Sequence, residues 1–135
     1  MFIAETQIRV RYAETDQMGV VYYGNYAQYF EVARAESIRH LGYTYKEMEE
    51  AGIIMPVVEL HCKYLRAANY DDLLTIKSTV KELPADHRIE FYQEVFNEKG
   101  KLLTVGRVVL YFMSAKDMSK ATMPDALRKK LEPFF

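Results

Sequence analysis

The chain has 135 residues, half of them hydrophobic, which suits one domain with a core over residues 1–135. A net charge of −1 gives no electrostatic basis for binding nucleic acid. Val108 to Met113, the longest apolar run, is too short to span a membrane, and the N-terminus lacks a signal-peptide pattern. Because Cys62 is the only cysteine, we expect no intramolecular disulfide and a cytoplasmic protein.

The first predicted element is a half-buried strand from Phe2 to Tyr12, in which apolar residues alternate with polar ones. Thr6 is the weak position of the apolar face. The strand leads into an acidic loop that contains Asp16 and Gly19.

A long helix is predicted from Tyr26 to Leu41. One mostly apolar face has helical spacing and consists of Tyr26, Phe30, Ala33, Ser37 and Leu41. Asn25 stands at the expected N-cap position, with Gln28 at capping-box spacing, and Gly42 follows as a C-cap glycine.

The rest of the chain reads mainly as strands. A short helix from Tyr45 to Ala51 is indicated by a capping box at Thr44 and by Gly52. Another capping box, at Thr122, predicts a short C-terminal helix with an early proline. Four strands are predicted between them, over Ile53–Arg66, Leu73–Glu82, Arg88–Phe96 and Leu102–Met113.

One long helix and five antiparallel strands predict an α+β fold of two layers. The last strand is apolar on both sides, so we expect it to be central and covered on both faces. The face of the sheet away from the helix would carry Tyr92, Phe96 and alternate residues of the last strand. Such a surface favours association between copies of the chain.

Several chemistries are disfavoured by the pattern. His40, His61 and His87 have no metal-ligand spacing, so we expect no metal site. The chain contains no nucleophile-elbow, phosphate-loop or dinucleotide-binding motif. Cys62 lies in the register of a strand and is interpreted as a small buried hydrophobe rather than a nucleophile.

Asp16 is the leading catalytic candidate on local chemistry. It precedes a helix N-terminus, where unpaired backbone N–H groups and the positive end of the helix dipole favour negative charge. An Asx-turn is the alternative interpretation of this aspartate. Glu14, two residues away, competes for the catalytic role.

The residues around Asp16 resemble a known family. The pattern runs Tyr12-x-x-Thr-Asp-x-x-Gly-Val-Val-Tyr-Tyr-x-Asn-Tyr-x-x-Tyr-Phe-Glu-x-Ala-Arg34 and continues in Tyr64-Leu-Arg-x-Ala-x-Tyr-Asp-Asp-x-Leu74. It is similar to the hot-dog-fold thioesterases, in the branch of 4-hydroxybenzoyl-CoA thioesterase and the Tol–Pal-associated acyl-CoA thioesterases. The resemblance implies a hot-dog fold, with the sheet wrapped around one central helix. It also implies a homodimer with joined sheets, commonly doubled into a tetramer, and an active site between protomers.

The family's catalytic aspartate falls on Asp16, and its carbonyl-polarising backbone amide falls on Tyr23. Tol–Pal-associated enzymes often have histidine at the second position, which affects the expected substrate rather than the chemistry. Tyr12 matches a tyrosine found near the aspartate in several relatives. Residues expected to contact substrate are Gly19, Val20 and Tyr26, with Lys63, Arg66 and Arg88 as candidate cations for the phosphates of coenzyme A.

The sequence therefore predicts an acyl-CoA thioesterase that needs no cofactor, since coenzyme A is part of the substrate. Hydrolysis of acyl groups on acyl carrier protein, or a non-catalytic module that binds CoA esters, are the alternatives. The carboxylate could attack the thioester directly or activate water, and the sequence leaves both routes open. It also leaves open whether the acyl group is aromatic or aliphatic.

Overall fold

The computed structural model describes all 135 residues, Met1–Phe135. Its strands are β1 (Phe2–Arg9), β2 (Ile53–Ile54), β3 (Val57–Tyr64), β4 (Leu73–Val80), β5 (Arg88–Phe96), β6 (Leu102–Tyr111) and β7 (Met113–Ser114). Its helices are α1 (Tyr26–His40), α2 (Tyr45–Glu50) and α3 (Asp125–Leu131). Five strands form one antiparallel sheet in the order β1-β4-β5-β6-β3, and β2 pairs with β7. The predicted α+β architecture is confirmed.

Helix α1 lies close on one face of the sheet. Phe30, Ala33 and Ser37 are completely buried, as the helical spacing predicts. A Cβ atom added to Gly106 of β6 would stand 2.6 Å from Cε2 of Phe30. Since real side chains do not approach so closely, a glycine at this position is what allows the Phe30 ring to rest on the strand.

A buried polar network ties α1 to the middle of the sheet. The side chain of Gln93 on β5 donates to the Phe30 carbonyl at 2.9 Å and to the Ser78 hydroxyl at 3.0 Å. Arg34 on α1 donates to the Gln93 side-chain oxygen at 3.1 Å. Buried hydrogen bonds of this kind specify one position of the helix on the sheet, because an alternative position would leave polar groups unpaired.

The prediction that the first strand reaches Tyr12 is wrong. Strand β1 ends at Arg9, where its pairing with Leu73 of β4 also ends. Tyr12 instead begins a 3₁₀ turn that runs to Glu14, and the Tyr12 side chain is 77% exposed. The turn forms because the Glu14 carboxylate accepts a hydrogen bond from the backbone N–H of Arg11.

The predicted capping box at Asn25 is also wrong. Asn25 has helical backbone angles, and its side chain donates to the Glu14 carbonyl at 2.8 Å instead of capping α1. A 3₁₀ turn over Tyr23–Asn25 leads directly into the helix. The helical segment therefore starts three residues earlier than the periodicity predicts. At the other end Gly42 has a φ of +83° and closes α1 as predicted.

Other boundaries differ locally from prediction. Pro56 separates β2 from β3 because it has no N–H for the ladder, and Phe112 separates β6 from β7. Thr44 is confirmed as an N-cap, since its hydroxyl accepts from Glu47 N at 3.0 Å, but its backbone N–H makes no reciprocal bond to the Glu47 carboxylate. The capping box at Thr122 is not formed, because Pro124 has an extended backbone and α3 begins after it.

Strand β6 is internal in the sheet, as predicted, but its outer face is only partly covered: Val105, Arg107 and Tyr111 are half-buried there. Strand β3 lies at an edge and is largely exposed. No helix has the length and apolar character needed to cross a lipid bilayer.

Candidate active site

A mostly apolar groove opens where the acidic loop, the start of α1 and the end of β3 meet. It has a volume of about 290 Å³. Five of the predicted site residues line it, namely Asp16, Val20, Tyr23, Tyr26 and Arg66. The remaining lining residues are Met18, Val21, Tyr64, Leu65 and Ala67.

Asp16 is held in a tight turn on one side of the groove. Its Oδ1 atom accepts from Met18 N at 2.9 Å, which is the Asx-turn expected as the alternative interpretation. Its backbone N donates to the Val20 carbonyl at 2.9 Å, and Gly19 permits the reversal with a φ of +78°. No protein group donates to Oδ2, so the turn fixes the carboxylate and leaves one oxygen free for chemistry.

The first N–H groups of the helical segment face no acceptor within the chain. Tyr22 has an extended backbone and precedes the 3₁₀ turn, so Tyr23 is its first residue. The backbone N–H groups of Tyr23 and Gly24 make no intramolecular hydrogen bond. Free donors at a helix start can bind an oxygen that carries negative charge.

Tyrosine rings form one wall of the groove. The ring of Tyr64 lies 5.5 Å from that of Tyr26 and 6.1 Å from that of Tyr23. The Tyr64 hydroxyl donates to the Tyr23 carbonyl at 3.4 Å. Burial, followed by contact with Cys62, raises the pKa of Tyr64 to about 12, so this phenol stays neutral near pH 7. The wall is therefore apolar and uncharged, which suits an acyl group.

Glu14 is not among the residues that line the groove. The residue is 7% exposed, and its carboxylate accepts hydrogen bonds from the Arg11 side chain and, at 3.0 Å, from the hydroxyl of Tyr29 on α1. Burial alone would raise the pKa of the Glu14 carboxyl, but the hydrogen bonds from Arg11 and Tyr29 outweigh it and lower the pKa. An ionised, fully bonded carboxylate is suited to holding structure.

The other predicted site residues lie elsewhere in the chain. Tyr12 is exposed and packs edge-on against Tyr70, with 5.5 Å between ring centroids. Lys63 pairs in register with Val105, on the sheet face opposite α1. Arg88 forms an ion pair with Glu90 at 3.0 Å in a separate depression. No cluster of three or more potential metal-binding side chains is present.

Sequence reasoning missed the part that Tyr64 and Leu65 play in the groove. Both residues lie at the end of the strand predicted over Ile53–Arg66, and nothing local indicates that this end meets the start of a helix that comes earlier in the chain. The isolated bridge between Val20 and Asn69 brings the segment after β3 against the acidic loop. The only signal in the sequence was the resemblance, whose second pattern begins at Tyr64.

Known proteins share the family and the fold of this chain. Residues 10–131 match the family described as the thioesterase-like superfamily. The crystal structure of DHNA-CoA thioesterase from Staphylococcus aureus superposes with a TM-score of 0.90 and 37% identity, covering 99% of this chain and 93% of that one. These matches confirm the hot-dog fold.

Two relatives extend the comparison. YneP of Bacillus subtilis, provisionally assigned as an acyl-CoA thioesterase, is 34% identical over 76% of this chain and 73% of its own length. The acyl-CoA thioester hydrolase YbgC of Escherichia coli is 26% identical over 89% of each chain. The matches extend over 102 and 120 residues respectively, so neither is confined to a short motif.

The lowered pKa of Glu14 predicts a pH-dependent contribution to stability. The folded-state pKa lies below the value of about 4.3 expected in an unfolded chain. The contribution is therefore present above that pH and is lost as pH falls through the folded-state pKa. We expect the difference in Tm between wild type and Glu14→Gln to be larger at pH 7 than at pH 3, measured by calorimetry.

Glu36→Gln is the matched control, because Glu36 forms an Arg–Glu pair of the same sequence spacing with Arg39 on an exposed helix face. An exposed pair contributes little, so this variant should differ little from wild type at either pH. A Tm difference for Glu14→Gln that is the same at both pH values would contradict the assignment of an ionised Glu14.

Proposed function

We infer that this chain, which belongs to the thioesterase-like superfamily, is an acyl-CoA thioesterase that hydrolyses an acyl-CoA to a free acid and coenzyme A. We propose that the reaction takes place in the groove beside Asp16. One observation supports this proposal. The same apolar groove is lined by a carboxylate that has one free oxygen and by unpaired N–H groups at a helix start.

Thioester hydrolysis needs both the carboxylate and the free N–H groups. As the carbonyl carbon is attacked, negative charge develops on its oxygen, and a preorganised N–H such as that of Tyr23 stabilises this charge. One such donor is worth on the order of a hundred- to a thousandfold in rate. The thiolate of coenzyme A is a good leaving group, so the proposed route requires neither a strong general acid nor a metal.

Asp16 can act in two ways. As a nucleophile, its oxygen forms a bond to the carbonyl carbon and expels the CoA thiolate, and water then hydrolyses the mixed anhydride. As a general base, it takes a proton from a water molecule whose oxygen attacks the same carbon, and the C–S bond then breaks to release the CoA thiolate. Both routes place the carbonyl oxygen on the Tyr23 amide, with Gly19 and Val20 in the turn beside it.

We propose that the acyl group lies along the tyrosine wall, against Tyr26, and that the CoA phosphates lie near Arg66. Arg66 is exposed and belongs to the groove lining, so its guanidinium can meet a phosphate at the groove mouth. Lys63 and Arg88 lie away from this groove. They remain candidates for contacts with a CoA bound between two protomers.

We also propose a homodimer, or a tetramer made of two dimers. The outer edge of β3 has no partner strand, and Val57, Val58 and Leu60 on this strand are more than 40% exposed. Unprotected edges of this kind pair with other strands. A second copy joined at β3 would sit beside Tyr64 and the groove. The single free cysteine, Cys62, supports action in a reducing cytoplasm.

Asp16→Asn keeps the shape of the side chain and removes its charge. We expect kcat to fall at least about a hundredfold with a much smaller change in KM, because both proposed roles act in the chemical step. Release of free thiol from a panel of acyl-CoAs would measure the rates. Glu14→Gln should do far less damage; turnover like wild type by Asp16→Asn would refute the assignment.

Variants of Tyr23 separate the backbone amide from the phenol. Tyr23→Phe should keep kcat within a few-fold, since its N–H remains. Tyr23→Pro should abolish turnover, since proline has no N–H but is tolerated in the first turn of a helix. Circular dichroism would verify folding. An active, folded proline variant would mean that another group polarises the carbonyl.

The proposed assembly can be tested at the edge strand. We expect sedimentation of the wild type at micromolar concentration to give a dimer or tetramer mass. Replacing both Val58 and Leu60 by lysine should shift the protein toward monomer, because charges at an edge oppose strand pairing. The control Val32→Lys alters an equally exposed apolar side chain on α1. A wild-type monomer with full activity would refute the shared site.

A further inference from the structure

Glu14 has hydrogen-bonding partners on both carboxylate oxygens, although the proposed mechanism does not use it. Its Oε1 accepts from Arg11 N at 2.8 Å and from the Tyr29 hydroxyl at 3.0 Å. Its Oε2 accepts from the Arg11 side chain at 3.0 Å and 3.3 Å. The Tyr29 side chain is 2% exposed, so the contact between Glu14 and α1 is made inside the protein.

The backbone of Glu14 binds the start of the helical segment as well. Its carbonyl oxygen accepts from Tyr22 N at 2.9 Å and from the Asn25 side chain at 2.8 Å. Glu14 therefore bonds to three segments. These are Arg11 at the start of its own 3₁₀ turn, Tyr22 before the Tyr23 amide, and Tyr29 in the body of α1.

We propose that Glu14 is a positioning residue that sets the separation between the Asp16 carboxylate and the Tyr23 N–H. This inference rests on the roles proposed above for those two groups. Asp16 lies two residues after Glu14, and Tyr23 directly follows Tyr22, whose N–H is bonded to Glu14. The Asp16 carboxylate and the Tyr23 N–H are thus both linked to Glu14 through short stretches of backbone, the second by way of the Glu14 carbonyl.

The loop from Asp16 to Tyr23 is held together by its own backbone hydrogen bonds, so fixing Glu14 also fixes the loop. Thr15 forms a β-bridge with Val21, and Asp16 N donates to the Val20 carbonyl. The loop can therefore move as a unit against α1, and the Glu14–Tyr29 bond opposes that movement. A displacement of about 1 Å between reacting groups can cost on the order of a hundredfold in rate.

The test compares Glu14→Gln, Tyr29→Phe and the double variant with Glu36→Gln as control. We expect each single variant to lower kcat by about tenfold with KM little changed, since groove contacts remain while the geometry loosens. The double variant should be no slower than the slower single one, because both changes act on the same contact between Glu14 and Tyr29. Glu36→Gln should keep wild-type kcat.

Rates would be measured well below each variant's Tm, so that a loss of stability alone does not lower kcat. Should Glu14→Gln fail to fold, Tyr29→Phe decides the question, because it keeps the buried ring and removes only the hydroxyl. Wild-type kcat in Tyr29→Phe, or losses that multiply in the double variant, would overturn the positioning role.

Asp16→Asn separates this inference from the proposed function. An inactive Asp16→Asn variant together with fully active Glu14→Gln and Tyr29→Phe would overturn the positioning role alone. A fully active Asp16→Asn variant would overturn the proposed mechanism, and with it the positioning role.

Discussion

The groove depends on the contact between the acidic loop and the first turns of α1. A helix start presents N–H groups, and a nearby aspartate supplies charge, but the two act together only at a fixed distance. In the proposed arrangement this distance is set by hydrogen bonds to the Glu14 carboxylate, a buried one from Tyr29 and a partly buried one from Arg11 N, and a hydrogen bond to a charged group contributes about 1.5–3 kcal/mol. The same residue explains why Asn25 does not cap the helix and why Tyr23 becomes its first residue.

The sheet fixes the other side of the groove. Gly106 lets Phe30 approach β6, and Gln93 bonds to Phe30 and Arg34, so α1 has one depth and one position along the strands. The end of β3 then falls beside the start of α1, and Tyr64 reaches the Tyr23 carbonyl. Helix α1 connects the packing of Phe30 on Gly106 to the groove, because its first residues line that groove. The contact at Gly106 therefore helps to position the site.

Periodicity predicted the α1 face, the strand at Arg88–Phe96 and the cap at Thr44, because these depend on neighbours within a few residues. Local patterns failed at Tyr12, where the Glu14 carboxylate binds Arg11 N and closes a 3₁₀ turn, and at Asn25, whose side chain bonds to the Glu14 carbonyl. They also failed at Thr122, where Pro124 precedes the helix. The loop and the resemblance predicted Asp16 and Tyr23 as site residues, and both line the groove. The tyrosine wall and the contacts of Glu14 were not predicted, because they join segments that only the folded sheet brings together.

In the proposed mechanism the Tyr23 amide polarises a thioester carbonyl held beside Asp16, and this role can be observed directly. It is tested most directly by isotope-edited infrared spectroscopy of a carbonyl-labelled acyl-CoA bound to the Asp16→Asn variant. A hydrogen bond from the amide should lower the carbonyl stretching frequency relative to the same ligand bound to a variant that also carries Tyr23→Pro. Equal frequencies in the two complexes would contradict the account.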